Sequence, residues 1–252
     1  MKTTFLGWEQ PLLTVMLQTP YPEHAISTVK KALSEGADAF GLQAEQLLPE
    51  YHNTETYQRI FAEMEGKPVY VTNYRYSQNA GQTDEEIATG LLLLAQSGAT
   101  LCDVMGDLFD KQPDEVAKDR AAINKLKALI RQLHANGSEV LMSSHILKYT
   151  PAERVLEIAR FQQDCGADIV KIVTGADTME QQLENLRITY LLKQNLQVPF
   201  LFLSGGECRI HRRVGSMLGN CMCLCAYEYD ELATPAQPLL KDAKFLKDNM
   251  WK

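Results

Sequence analysis

The stretch GADIVKIVTGA, residues 166–176, decides the fold. Glycine stands where a preceding helix would end, and a run of Ile, Val and Thr follows, with glycine again at the far side. That is the make-up of a short strand buried on both faces, the kind found in parallel sheets. One residue breaks the pattern. Lys171 stands in the middle of the run, and an ammonium left unpaired in an apolar setting costs several kcal/mol. Either the strand ends early or the amine has a purpose.

The same unit recurs outward in both directions. Apolar runs at 11–17, 37–43, 68–75, 100–106, 139–145, 168–174, 199–205 and 221–227 alternate with longer amphipathic segments. Start and stop signals mark the helices: TDEE (83–86) reads as a capping box, and TPAE (150–153) carries proline in its first turn. Gly36, Gly98, Gly137 and Gly166 each close a helix before a strand. Eight βα units in 252 residues predict an α/β fold of the (β/α)8 TIM-barrel type, with residues 1–252 forming one domain. A doubly wound open sheet is the alternative. No glycine-rich nucleotide-binding motif of either the dinucleotide or the phosphate-loop kind is present.

Composition narrows the function. With 32 acidic and 25 basic residues the formal charge is -7, which disfavours a broad attraction to nucleic acid or to an anionic membrane. A small-molecule substrate is expected instead. The N-terminus MKTTFLGWEQ lacks the apolar core of a signal peptide, and no apolar run approaches a membrane span, so a cytoplasmic protein is expected. The cysteines form no disulfide framework. Cys221, Cys223 and Cys225 alternate along one strand, which would set three sulfurs on one face; such neighbours do not wrap a tetrahedral ion, and a core role is expected.

In a barrel of this kind the chemistry lies where the strands end. Those ends carry Gln43, Arg75 with Asn79, Asp103, Ser143 to His145, Lys171, Ser204 with Gly205 and Gly206, and Glu228. On the inward face of a strand Lys171 is desolvated, which favours the neutral amine that attacks a ketone or aldehyde to form an imine. The alternative is a lysine that reaches solvent or pairs with a carboxylate. His145 ends the neighbouring strand and has the right chemistry to move protons near neutral pH. The segment SGGECRIHRR (204–213) joins a glycine turn, a helix start and Arg209, Arg212 and Arg213. That is either an anion site or a solvated basic helix face.

These residues resemble the type I 3-dehydroquinate dehydratase family over most of the chain. EVLMSSHILKYTP (139–151) is similar to the family's catalytic-histidine strand, and GADIVKI (166–172) to its imine-lysine strand. HRRVGSMLG (211–219) resembles the segment with the carboxylate-binding arginine, here Arg212. ATPAQ (233–237) resembles the loop that closes over substrate, with Gln237, and YRYSQNAG (74–81) the end of strand three, with Arg75. The resemblance implies a (β/α)8 lyase of the shikimate pathway that dehydrates 3-dehydroquinate. Lys171 would form the imine and His145 would move protons, with no metal or organic cofactor. It also implies a small anionic keto-acid substrate and a homodimer. The chain departs from the family at Asn79, where a glutamate orients the histidine; at Gly41, Leu42 and Gln43, where a Glu-x-Arg holds substrate; and at Ala233, in place of a serine. Asn79 can still hydrogen-bond an imidazole but brings no charge.

Two other readings use the same residues. VKIVTG followed by LSGG is also similar to the lysine strand and phosphate turn of the deoxyribose-phosphate aldolase group, although PFLFLSGG lacks the second lysine of that group. A barrel that binds a keto acid without turning it over is the other.

Overall fold

The computed structural model describes residues 3–207 and 210–250. Eight strands pair in parallel: β1 (Leu12–Leu17), β2 (Ala39–Gln43), β3 (Val69–Thr72), β4 (Leu101–Met105), β5 (Glu139–His145), β6 (Ile169–Gly175), β7 (Phe200–Gly205) and β8 (Met222–Cys225), in the order β7-β6-β5-β4-β3-β2-β1-β8. Helices follow the strands: α1 (Pro22–Ser34), α2 (Thr54–Ala62), α3 (Asp84–Ser97), α4 (Arg120–Ala135), α5 (Ala152–Cys165), α6 (Met179–Asn195), α7 (Ile210–Leu218) and α8 (Leu240–Met250). The TIM-barrel expectation holds, and the open doubly wound sheet does not.

The seam between β7 and β8 nearly closes the ring. Cys221 N–H donates to the Phe200 carbonyl at 3.0 Å. Beside it the Asn220 amide imitates a strand, accepting from Phe202 N–H at 2.8 Å and donating to the Phe202 carbonyl at 2.9 Å. A side chain thus satisfies backbone groups that a longer β8 would otherwise pair.

Strand alternation divides the core in two. Ile169 and Val173 pack inside the barrel with Leu141, Leu201, Tyr70 and Met222, whereas Val170 and Ile172 pack outward against Val155 and Ile158 of α5 and Ile188 and Leu192 of α6. Lys171 shares the parity of Ile169 and Val173, so its side chain enters the interior. Phe5, whose N–H meets the Glu139 carboxylate at the start of β5, covers the end from which the strands begin.

The local signals behave as read except that the proline of TPAE stands at the N-cap, one position before the first turn. Thr83 and Glu86 form a reciprocal capping box on α3, Pro151 stands at the N-cap of α5, and Gly166 ends that helix in the left-handed region at φ 100°. Two strands are shorter than expected. β3 stops at Thr72 because Asn73 turns away to donate to the Ile87 carbonyl, leaving Arg75 in the loop that follows. β8 begins only at Met222, so alternation puts Met222 and Leu224 inside and Cys223 and Cys225 outside, while Cys221 precedes the strand and touches the interior cluster. The three sulfurs therefore do not share one face.

Candidate active site

Lys171 is 4% exposed, and its ammonium is fully engaged. Nζ lies 2.9 Å from Asp103 Oδ2, 2.9 Å from the Tyr70 hydroxyl and 2.8 Å from the Tyr74 hydroxyl. Both tyrosines also donate to Asp103 Oδ2 at 2.5 Å, and Ser143 donates to Asp103 Oδ1 at 2.5 Å. Burial pushes the Asp103 carboxyl up, but the Lys171 ammonium and the hydroxyl donors outweigh it and hold the group below the usual carboxylate range. Tyr70 and Tyr74 are pushed well above the ordinary phenol range, first by burial and then by the Asp103 charge. Every polar atom of this cluster has a partner, as a buried ion pair requires. Beside the imine-forming reading of Lys171, the alternative offered solvent or a carboxylate partner: the carboxylate is present and the reach to solvent is not, so the amine is paired rather than left in an apolar setting.

His145 ends β5 beside it, and its Nδ1 lies 2.9 Å from Glu115 Oε2. The same oxygen accepts from His145 N–H at 2.7 Å, which fixes the carboxylate against the strand end. The imidazole meets the Tyr74 ring edge-on at 5.2 Å between centroids. Glu115 belongs to the β4–α4 connection and has φ 48°, and its own carbonyl accepts from Ser144 Oγ. The loop comes this close because residue 106 is glycine: a Cβ there would lie 2.5 Å from the Glu115 carbonyl oxygen.

Asn79, expected to face the imidazole, bonds elsewhere. It donates to Asn73 Oδ1 and the Tyr74 carbonyl and accepts from Gln82 Nε2, which folds the loop after β3 upon itself. Glu115 meets the imidazole instead.

Arg75 also departs from its expected role. Nε and Nη2 grip Asp84, while Nη1 donates to Asp107 Oδ1 at 2.6 Å and Nη2 to the Asp107 carbonyl. With a further contact from Nη1 to Met105 Sδ, all five of its donors are used and two carboxylates offset its charge, so it cannot offer a free guanidinium to an anion. It nevertheless lines the mouth cavity, of about 500 Å³, together with Tyr74, Tyr76, Met105, Glu115 and His145.

Arg212 is different. Its Nε donates to the Ser204 carbonyl at 2.9 Å, and among the described residues it has no carboxylate partner. Burial alone brings its pKa down to about 10. Gln237 is buried in the loop before α8, and its Oε1 has no partner among the described residues. Gln43 ends β2 and accepts from Gln18 Nε2 at 2.8 Å; Gln18 also ties down Thr234 of the same loop. Arg209 and Cys208, part of the expected anion segment, lie outside the described residues.

At Gly41, where the family carries a glutamate, the Met16 and Tyr70 side chains occupy the space a side chain would need. A Cβ would lie 2.4 Å from Met16 Sδ and 2.9 Å from Tyr70 Cδ1. Just beyond, Glu45 is buried with its carboxyl against Thr72 Oγ1, and burial raises its pKa to about 7. Among the described residues no group of three or more His, Cys, Asp and Glu side chains is arranged to hold a metal ion, and no helix is long and apolar enough to cross a membrane.

Sequence reading missed Glu115, Glu45, Tyr70 and Tyr74, and took Asp103 only as a strand end. Tyr70 carries a usable signal, since its place on β3 shares the parity of Thr72 at the strand end, whereas Tyr74 lies past the end of β3 and is brought in by the loop. Glu115 carries none, being in a loop at no strand end.

A family model for type I 3-dehydroquinase matches residues 13–247. Among curated relatives, the 3-dehydroquinate dehydratase of Alkaliphilus oremlandii is 28% identical over 124 residues, 48% of each chain. That of Klebsiella pneumoniae is 32% identical over 118 residues, 46% of each. These matches span about half the length of each relative. The crystal structure of type I 3-dehydroquinate dehydratase from Clostridium difficile, solved with covalently modified comenic acid, superposes with TM-score 0.80 at 17% identity over 97% of this chain and 94% of that one. The enzyme from Geobacillus kaustophilus follows at 0.78, 17% identity, and 96% and 93% coverage. At that identity the likeness shows the shared barrel.

Proposed function

Because the chain belongs to the type I 3-dehydroquinase family, we propose that it is a carbon–oxygen lyase that dehydrates 3-dehydroquinate to 3-dehydroshikimate through an imine on Lys171, in the shikimate pathway. The observation that carries this reading is the pairing of two strand ends: a buried lysine on β6 and, on β5, a histidine whose Nδ1 is held by a carboxylate. The family match leaves the aldolase alternative without support.

The chemistry follows from these groups. The amine adds to the substrate ketone and water leaves, giving an iminium beside Asp103. The positive nitrogen makes the neighbouring C–H acidic. His145, with Nδ1 held by Glu115, presents Nε2 as the base that takes this proton, and as the acid that helps the β-hydroxyl depart as water. Hydrolysis then returns the free lysine and an enone. Arg212 and Gln237, the one with no carboxylate partner and the other with an unpartnered Oε1 among the described residues, are the groups for an anionic substrate. A cytoplasmic homodimer belongs to the same proposal.

A second reading is favoured by one observation: Arg75 is spent on Asp84 and Asp107, and Met16 and Tyr70 fill the space at Gly41. On that reading the site takes a keto acid with fewer hydroxyls than 3-dehydroquinate. One assay separates the two. Enone absorbance from 3-dehydroquinate should grow with wild-type protein and vanish with Lys171→Ala. Lys171→Gln, which can still donate to Asp103, is the companion that controls for folding. No turnover, yet borohydride-stable mass at Lys171 with a simpler keto acid, would favour the second reading; no adduct with either acid would remove the imine altogether.

A further inference from the structure

Three groups touch the Lys171 ammonium, and they are not equivalent. Asp103 is 1% exposed, Tyr70 0% and Tyr74 3%, so all three are buried, and neither Asp103 nor Tyr70 lines the mouth cavity. Tyr74 does line it, while its hydroxyl sits 2.8 Å from Nζ. The two tyrosines otherwise mirror each other: each accepts from Nζ, and each donates to Asp103 Oδ2 at 2.5 Å. His145 contacts Tyr74 through its ring edge, but its Nδ1 partner is Glu115.

An imine needs a proton to travel from nitrogen to oxygen. The ammonium must lose one before it can attack, and the carbonyl oxygen must gain one as it becomes a hydroxyl. Asp103 is poorly placed to carry it, since Oδ2 already accepts three hydrogen bonds and its charge is stabilised where it is. Tyr74, which holds Nζ and lines the cavity, can do both halves of the transfer once its hydroxyl proton turns from Asp103 Oδ2 to the substrate oxygen.

We propose that Tyr74 is a catalytic residue of imine formation, a relay that takes a proton from Lys171 Nζ and hands its own hydroxyl proton to the substrate oxygen. This rests on the Schiff-base reading above and adds a component to it. In the first step the N–C bond forms, the C=O π pair becomes a lone pair on oxygen, and one proton moves from nitrogen through Tyr74 to that oxygen. The product is a protonated carbinolamine. In the second step another N–H proton passes the same way, the C–O bond breaks and water leaves, giving the iminium. The net change is ammonium plus ketone to iminium plus water, so the charge facing Asp103 stays at one throughout. Asp103 serves as a fixed counter-ion and needs no proton of its own. The shift of both phenols to high pKa keeps each protonated at neutral pH, as a relay requires.

The test uses the mirror symmetry. Tyr74→Phe and Tyr70→Phe each remove one hydroxyl from the same ammonium and the same carboxylate oxygen, leaving the rings in place. Borohydride trapping with 3-dehydroquinate, read as the rate of mass gain at Lys171, should slow by about 100-fold in Tyr74→Phe, the low end of what a positioned proton-transfer group contributes. Tyr70→Phe loses the same two hydrogen bonds without a group at the cavity, and its slowing should be at least about tenfold smaller than that of Tyr74→Phe. Steady-state kinetics should show the Tyr74→Phe loss in kcat with KM little changed. Equal slowing of the two variants would mean that both hydroxyls only hold the ammonium, and would overturn the relay, as would trapping in Tyr74→Phe at the wild-type rate. Absence of any adduct in the wild-type protein would remove the Schiff-base reading and the relay together, whereas an adduct formed equally fast in both variants removes the relay alone.

Discussion

Glu115 is the residue whose position changes the account of the site most. A carboxylate paired with an imidazole N–H fixes which nitrogen carries the proton and leaves the other free to act, and such a charge-assisted bond is worth about 1.5–3 kcal/mol. The carboxylate here comes from the β4–α4 loop, not from the segment after β3 where Asn79 stands. Glu115→Gln keeps the shape of that side chain and removes its charge. The expected outcome is a fall in kcat of about 10- to 100-fold with KM nearly unchanged, measured by enone absorbance. A variant with wild-type kcat would show that the imidazole does not depend on this charge.

At the scale of elements, the barrel depends on how its shortest strand is completed. β8 has four residues, and the Asn220 amide supplies both a donor and an acceptor to Phe202 at the β7 side of the seam. Asn220→Ala strands a buried N–H and a buried carbonyl, a loss of about 2–4 kcal/mol by the usual cost of unmade hydrogen bonds. Thermal unfolding followed by circular dichroism should show the midpoint falling by about 5–10 °C for a chain of this size. An unchanged midpoint would mean that β7 and β8 close the seam without the side chain. The same scale explains the tight mouth near β2: Gly41 leaves room for Met16 and Tyr70, and Tyr70 in turn reaches Asp103 and Lys171.

At the scale of the whole molecule, buried titratable groups shape how stability responds to pH. Burial raises the Glu45 pKa to about 7 against an ordinary value of 4.5, so folding keeps this carboxyl protonated over a wider acid range. A carboxyl raised on folding favours the folded state below the unfolded value, and this contribution is lost as pH climbs from 4.5 through 7. The loss amounts to roughly 3 kcal/mol once pH exceeds 7. Glu45→Gln, which cannot ionise, should therefore gain stability relative to wild type between pH 5 and pH 8, read from urea melts at both values. A difference that does not vary with pH would show that Glu45 is ionised in the folded protein. His211 acts in the opposite sense: burial, then the neighbouring Arg212 charge, lowers its pKa to about 4, so its share of stability is present above 6.5 and lost as pH falls through 4.

The alternation of apolar runs with capped amphipathic segments was enough to determine the barrel, its strand count and the inward parity of Lys171, because strand and helix periods are local properties of the chain. His145 and Lys171 could be set on adjacent strand ends for the same reason. Other features arise only on folding. The Glu115 carboxylate reaches His145 across 30 residues of sequence, and Tyr70, Tyr74 and Asp103 converge on an amine 68 to 101 residues away. Arg75 stood in a motif that pointed to substrate, yet Asp84 and Asp107 claim it. Charges and hydroxyls pair by distance in space, and a buried one takes whichever complementary group the fold brings within reach. The chain by itself therefore set Lys171 and His145 on adjacent strand ends, and only the tertiary structure decided which groups join them at the mouth and which of those hold one another.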